Sequence, residues 1–244
     1  MINNNTQSKI LIGLPVYNEF DYVEEVLHDV CKYAKDILVV DDGSTDGTSE
    51  KLKQFPWIDV ITHNGNKGYG KSLIDIFDYA QMHGYQWVIT MDCDHQHKAS
   101  CLSKFYEAIP KNHGDIISGS RYLHEDLSTC DIPKERYEIN LYVTKLLNSI
   151  LSLSLTDAFC GFKAYRVEAL KKLNLTDEGY GLPLELWIQA ANLDLFIQEI
   201  PVPLIYHDPN RNFAGKLENA KFRLNYYMDI IEKNLLLYGY ANIK

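Results

Sequence analysis

Four times between residues 9 and 92 a short apolar run is followed by a turn, and three helical patterns separate the four runs. Residues 9–16, KILIGLPV, are apolar, rich in β-formers and stopped by a proline, which reads as a buried strand. In YNEFDYVEEVLHDVCKYA, residues Tyr22, Val26, Leu27 and Val30 recur at helical spacing behind acids in the first turn. ILVV (37–40), IDVITH (58–63) and YQWVITMD (85–92) supply the other strands, with helices expected over 46–54 and 71–84, the second closing at Gly84. Such alternation implies an α/β fold: a parallel sheet, right-handed crossovers and helices on both faces. Ligands of such sheets sit beyond the carboxyl ends of the strands. The chemistry-bearing residues collect there: 15–19, Asp41 and Asp42, 66–70 and 92–96.

After residue 98 the pattern loosens. The spacing predicts a helix over 99–110, a strand over 115–122, a polar loop over 123–136, and a long helix from Tyr137 to Leu155. A short strand with a return (156–166) and a helix (183–192) follow. A proline-interrupted strand at a sheet edge (195–207), a polar loop (208–218) and an amphipathic helix (219–238) complete the chain. A length of 244 residues with 46% hydrophobic residues suits one large domain with a real core. The net charge of −9 argues against a nucleic-acid partner. Five cysteines without a C-x-x-C pair point to free thiols in a reducing compartment, and the first residues do not read as a signal peptide. No stretch approaches 18 apolar residues, so no transmembrane segment is expected. The expected location is cytoplasmic, with at most peripheral contact at the cytoplasmic face of a membrane. The helix from Tyr137 has apolar residues on several sides and suits a core position, a homo-oligomer contact or a bilayer surface; the chain lacks the polybasic patch that usually supports the last.

Three loops carry chemistry. DDGSTDG ends the second strand; its aspartates either cap a turn or, through Asp42, accept hydrogen bonds from a base or ribose. NGNKGYGKS misses the spacing of a phosphate-binding P-loop, yet a glycine-rich turn with Lys67 can approach a diphosphate closely. In TMDCDHQHK, an extended chain would put Asp92, Asp94 and Gln96 on one face, and Cys93, His95 and His97 on the other. The first set suits a hard cation such as Mg²⁺ or Mn²⁺; the second suits Zn²⁺.

LPVYNE, VVDDGSTDGT, NKGYG, MDCDHQH, SGSRY and TDAFCGFKAYR occur in this order over residues 9–216. Together they resemble the family 2 glycosyltransferases of the GT-A fold, and within them the dolichol-phosphate mannosyltransferase group with its bacterial polyprenyl-phosphate relatives. The resemblance implies a Rossmann-like, mostly parallel central sheet in a single domain over 1–244. It divides into a nucleotide-binding half (9–97), an acceptor-side half (98–218) and a C-terminal helix (219–244). It also implies a metal-dependent hexosyltransferase with a nucleotide-sugar donor of GDP-mannose or UDP-glucose type and a polyprenyl or dolichyl phosphate acceptor. Pro15, Tyr17, Glu19, Val40 and Asp42 match the nucleoside-holding residues, Lys67 and Gly68 the loop beside the nucleotide, and Asp92 and Cys93 the adjoining strand end. Asp92, Asp94 and Gln96 match the metal-binding D-x-D-x-Q element, so the oxygen face is favoured for Mg²⁺ or Mn²⁺. Arg121 and Arg136 match arginines that hold phosphates near the acceptor. Arg211 and Lys216 resemble a loop that closes over the diphosphate.

The implied reaction is an inverting, in-line displacement at the anomeric carbon. A phosphate acceptor needs no base, whereas a hydroxyl acceptor, as in polysaccharide or glycoconjugate synthesis, requires one. Asp157 and Glu185 are the candidates, because both lie in segments expected on the acceptor side. A non-catalytic nucleotide-sugar binder would keep the pocket without the chemistry; intact Asp92, Asp94, Gln96 and Arg121 argue against it.

Overall fold

The computed structural model describes residues 8–111, 114–123, 134–205 and 215–240. Its frame is a seven-stranded sheet in the order β3-β2-β1-β4-β6-β5-β7. The strands are β1 (Ile10–Val16), β2 (Ile37–Asp41), β3 (Asp59–Thr62), β4 (Trp87–Thr90), β5 (Ile116–Ser120), β6 (Lys163–Arg166) and β7 (Ile197–Pro201). β1 to β4 are mutually parallel, as the alternation requires. β6 runs antiparallel between β4 and β5, and the proline-marked β7 lies at the edge beside β5. Chain order reverses between β1 and β4: the first three strands step outward one way, then the chain returns to the other side of β1. A crevice at that switch point is the expected ligand site.

The helices are α1 (Val23–Val30), α2 (Thr48–Leu52), α3 (Tyr69–Met82), α4 (Leu102–Lys111), α5 (Lys134–Leu151), α6 (Val167–Leu170), α7 (Leu182–Asn192) and α8 (Ala220–Leu237). Each central strand feeds two cores. Leu11, Leu38, Val40 and Val88 pack with α3, α5, α7 and α8, while Ile12, Leu14, Val39 and Ile89 pack with α1, α2 and α4. This two-sided burial explains why these strands read as continuous apolar runs. The α5 helix contributes Val143, Leu147 and Leu151 to the first core, so part of its apolar surface is interior. Among the described residues no helix is long and apolar enough to cross a membrane.

Two expectations about local structure are corrected. The stretch after β4 is not extended: residues 93–97 bend and His95 takes a left-handed conformation (φ 60°), so strict two-face alternation ends with the strand. Helix α1 starts at Val23 because residues 17–22 are drawn into a turn, where Asn18 Oδ1 accepts from Thr45 N (2.8 Å) and Thr48 Oγ1 accepts from Glu19 N (3.0 Å).

Candidate active site

The loops after β1, β2, β3 and β4 open on one cavity of about 430 Å³, a size that suits a nucleotide-sized ligand. Pro15, Tyr17, Glu19, Asp42, Gly68, Asp92, Cys93, Asp94, Gln96, Arg121 and Arg136 all line it. The two strand-end aspartates divide their work. Asp41 is buried and caps the turn, accepting from Ser44 N (3.0 Å) and from the Ser49 hydroxyl, whereas Asp42 reaches the cavity wall. Asp42 accepts from the backbone N–H groups of Lys67 and Gly68, both at 2.8 Å, which fixes the glycine-rich loop against β2.

That loop is also fixed from the acceptor side. Gly68 has φ 109°, and a Cβ there would overlap the Glu178 carbonyl oxygen. Lys71 N donates to the same oxygen at 3.1 Å. Behind this contact stands Glu185, 3% exposed, whose carboxylate accepts from Thr176 N (2.8 Å), Thr176 Oγ1 (2.9 Å) and Asp177 N (2.8 Å). Glu185 is absent from the cavity wall, so it anchors the 176–181 loop and is not placed to act as a base. Glu185→Ala removes the charged acceptor of three part-buried hydrogen bonds and is expected to cost about 2–3 kcal/mol. Thermal unfolding should show this as a melting point lower by roughly 5–10 °C, with kcat of the folded fraction within tenfold. A normal melting point with abolished turnover would restore the base assignment.

The end of β4 carries the oxygen set. Tyr69 Oη donates to Asp92 Oδ1 at 3.0 Å, and Gln96 N donates to Asp94 Oδ1 at 3.0 Å. The Asp92 carboxylate lies against Gly161, where any Cβ would collide with it. Asp92, Asp94 and Gln96 are all partly exposed in the cavity wall. Their oxygens are a hard, anionic donor set of the kind that would suit Mg²⁺ or Mn²⁺. Among the described residues no three His, Cys, Asp or Glu side chains gather as a self-sufficient metal cluster. The sulfur–imidazole set does not assemble. Cys93 is 1% exposed and packs in the core, and His95 stands edge-on to Tyr22. Burial pulls the His97 ring down to about 4; it is neutral, and its Nδ1 accepts from Asp92 N at 3.0 Å.

Just past β5, Arg121 is forked onto Asp157, with Nε to Oδ2 at 2.6 Å and Nη2 to Oδ1 at 2.9 Å. Burial raises the Asp157 carboxyl, but the Arg121 charge, the hydrogen bonds of Arg121 and Asn140, and the Lys163 charge together bring it down to about 2. Fully buried and so acidic, Asp157 is unsuited to take a proton, which corrects the second base assignment.

Three other expected residues stand elsewhere. Val40 is 0% exposed in the core, its side chain away from the cavity. Lys67 contributes its backbone N–H while its side chain is exposed and off the cavity wall. Lys216 is exposed with Nζ over the Phe222 ring at 5.9 Å. Arg211 lies outside the described residues. In their place the cavity receives Arg223 from α8, 3% exposed, whose guanidinium donates to the carbonyls of Leu217 (2.7 Å) and Glu218 (3.3 Å) and to Glu135 Oε1 (3.0 Å). The sequence held a signal for it. Arg223 occupies the first place of the buried stripe Tyr227, Ile231 and Leu235, where an apolar side chain is the default. Ile139, Phe159, Tyr180, Pro183 and Tyr227 complete an apolar and aromatic wall beside the arginines.

Comparison with known proteins covers most of the chain. Residues 11–174 match the family described as Glycosyl transferase family 2. The undecaprenyl-phosphate mannosyltransferase of Micrococcus luteus is 28% identical over 206 residues, 81% of this chain and 84% of that protein. The polyprenol monophosphomannose synthase of Mycolicibacterium smegmatis is 28% identical over 205 residues, 80% of this chain and 76% of that one. Among solved structures, glucosyl-3-phosphoglycerate synthase of Mycobacterium tuberculosis, crystallised with Mn²⁺, UDP and glucosyl-3-phosphoglycerate, superposes with a TM-score of 0.71 over 96% of this chain and 81% of that one, at 17% identity.

Proposed function

The chain belongs to glycosyl transferase family 2, and from that premise we propose that it transfers a hexosyl group from a nucleotide-sugar donor to a polyprenyl-type phosphate. The observation that carries this reading is the make-up of the acceptor side. Arg121, Arg136 and Arg223 line the cavity beside an apolar and aromatic wall, while Asp157 and Glu185, the two candidate bases, are committed to structure. A phosphate acceptor is already ionised and asks for cations; a hydroxyl acceptor asks for a base. An apolar wall next to a cationic patch suits a molecule with a phosphate head and a hydrocarbon tail.

The residues then divide as follows. Tyr17, Glu19 and Asp42 hold the nucleoside, and the 66–68 turn lies alongside it. Asp92, Asp94 and Gln96 are the residues that would hold Mg²⁺ or Mn²⁺, which would supply Lewis-acid stabilisation of the negative charge on a nucleoside diphosphate. Arg121, kept rigid by Asp157, orients the acceptor phosphate with Arg136 and Arg223, each charge-assisted contact contributing about 1.5–3 kcal/mol. A phosphate oxygen attacks the anomeric carbon in line as the bond to the diphosphate breaks, so configuration inverts. The diphosphate takes the bonding electrons and no proton moves.

Purified protein incubated with GDP-mannose or UDP-glucose, Mn²⁺ and a short-chain polyprenyl phosphate is expected to yield a polyprenyl-phosphate sugar, read by mass spectrometry. Transfer to a free sugar hydroxyl, with polyprenyl phosphate inert, would overturn the acceptor assignment. Binding of a nucleotide sugar without transfer to either would point to a binder.

A further inference from the structure

The nucleoside carboxylate rests on a relay that the reaction does not itself require. His63, immediately after β3, places Nδ1 2.6 Å from Asp42 Oδ1 and Nε2 2.7 Å from Asp75 Oδ2. Asp75, on α3, takes Lys71 Nζ on its other oxygen at 2.5 Å. Burial alone would raise the Asp75 carboxyl, but the Lys71 and His63 contacts hold it below its usual range, so it stays an anionic acceptor. The side chains of His63 and Asp42 are each 4% exposed. A ring gripped at both nitrogens in a packed setting has one orientation, and so does the carboxylate it holds.

The acceptor count at Asp42 gives this arrangement its consequence. A carboxylate offers about four lone-pair directions, two on each oxygen. On Oδ1 both are taken, by His63 Nδ1 and by Lys67 N; on Oδ2 one is taken, by Gly68 N. Among the described residues one acceptor direction on Oδ2 remains, on a side chain that lines the cavity.

We propose that His63 is the positioning residue for nucleoside recognition: pinned by Asp75, it fixes Asp42 so that a single Oδ2 lone pair meets one N–H or O–H donor of the nucleoside. This rests on the donor reading above. It also explains why a histidine sits at this otherwise buried place, since its contact with Oδ1 adds a side-chain hold to the two backbone N–H groups that the loop gives, one to each oxygen. The selectivity that follows is for a nucleoside that presents a donor at that point, because an analogue without one leaves a buried acceptor unpaired.

The test is titration calorimetry of UDP and GDP, in saturating Mn²⁺, against wild type, His63→Phe, His63→Asn and Asp75→Asn, with melting temperatures measured alongside. His63→Phe keeps a ring and loses both contacts. It is expected to weaken the preferred nucleotide at least tenfold and, in the transfer assay, to raise donor KM while kcat stays within about twofold. His63→Asn can still offer an N–H near the Nδ1 position and should recover affinity to within threefold of wild type. Asp75→Asn, outside the cavity wall, should cost two- to fivefold. A folded His63→Phe with wild-type affinity overturns the role, as does equal loss in His63→Phe and His63→Asn. If His63→Phe does not fold, His63→Asn decides alone: affinity within threefold supports the role and a tenfold loss overturns it. Wild type that binds neither UDP nor GDP overturns the donor reading itself, and this inference with it.

Discussion

Asp94→Ala is expected to lower transfer at saturating donor by about 10²–10³-fold, because it removes one of the anionic oxygens available to a divalent cation. Lewis-acid stabilisation of a leaving diphosphate amounts to several kcal/mol, and each 1.36 kcal/mol is a factor of ten in rate. The loss should fall on metal binding before it falls on the fold. Asp94 is partly exposed in the cavity wall, and its Oδ1 takes the Gln96 N–H of a short local turn. Titration of Mn²⁺ in the presence of UDP or GDP, followed by electron paramagnetic resonance, should show at least tenfold weaker binding in the variant. The melting point without metal should stay within about 2 °C of wild type. Chelation by EDTA should abolish wild-type transfer, and Mg²⁺ or Mn²⁺ should restore it better than Zn²⁺, since Cys93 and His97 are buried and the sulfur–imidazole set does not assemble. Full activity in EDTA together with a near-normal Asp94→Ala would remove the metal from the mechanism.

What the sequence disclosed and what it withheld follow from the range of the interactions involved. Strands buried on both faces announce themselves locally, so ILVV and YQWVIT were legible and the four loops of the nucleotide side could be placed at one edge of a sheet. The oxygen set at Asp92, Asp94 and Gln96 was legible as residue types. Its geometry was not, because the backbone leaves the extended form at once and His95 turns left-handed. The acceptor half was harder. β6 enters antiparallel between two strands, an insertion that no local period reports. Arg121 meets Asp157 across 36 positions, and Arg223 meets Glu135 across 88. Glu185 and Asp157 look like bases in one dimension because both are carboxylates in segments expected on the acceptor side. In three dimensions their partners, backbone N–H groups and a guanidinium, turn them into anchors.

The Asp157 anchor carries the other large effect, and it separates an anchor from a base by stability. Asp157→Asn removes the negative charge to which Arg121 is forked and leaves a cation that is 13% exposed without its counter-charge. Breaking a buried pair by removing one partner costs about 3–5 kcal/mol, whereas the same pair replaced whole by apolar residues can be neutral. For a chain of this length that corresponds to a melting point lower by roughly 10 °C. The same pair makes stability depend on acid in a definite direction. The Asp157 carboxyl titrates near its ordinary value of 3.8 when unfolded and at about 2 when folded. The folded state therefore favours the carboxylate, and the benefit is complete above about pH 4 and vanishes as pH falls toward 2. A shift of this size corresponds to about 2 kcal/mol. Urea denaturation of wild type and Asp157→Asn across pH 2–7 should show the gap between the two curves constant above pH 5 and narrowed by about 2 kcal/mol at the acid end. A base would behave otherwise: Asp157→Asn would leave the urea midpoint unchanged at every pH and abolish turnover alone. Arg121→Met/Asp157→Leu supplies the complementary case. It should recover only part of the lost stability, because Asn140 Nδ2 and Phe159 N lose their acceptor, while transfer stays low because the phosphate-orienting cation has gone with its anchor.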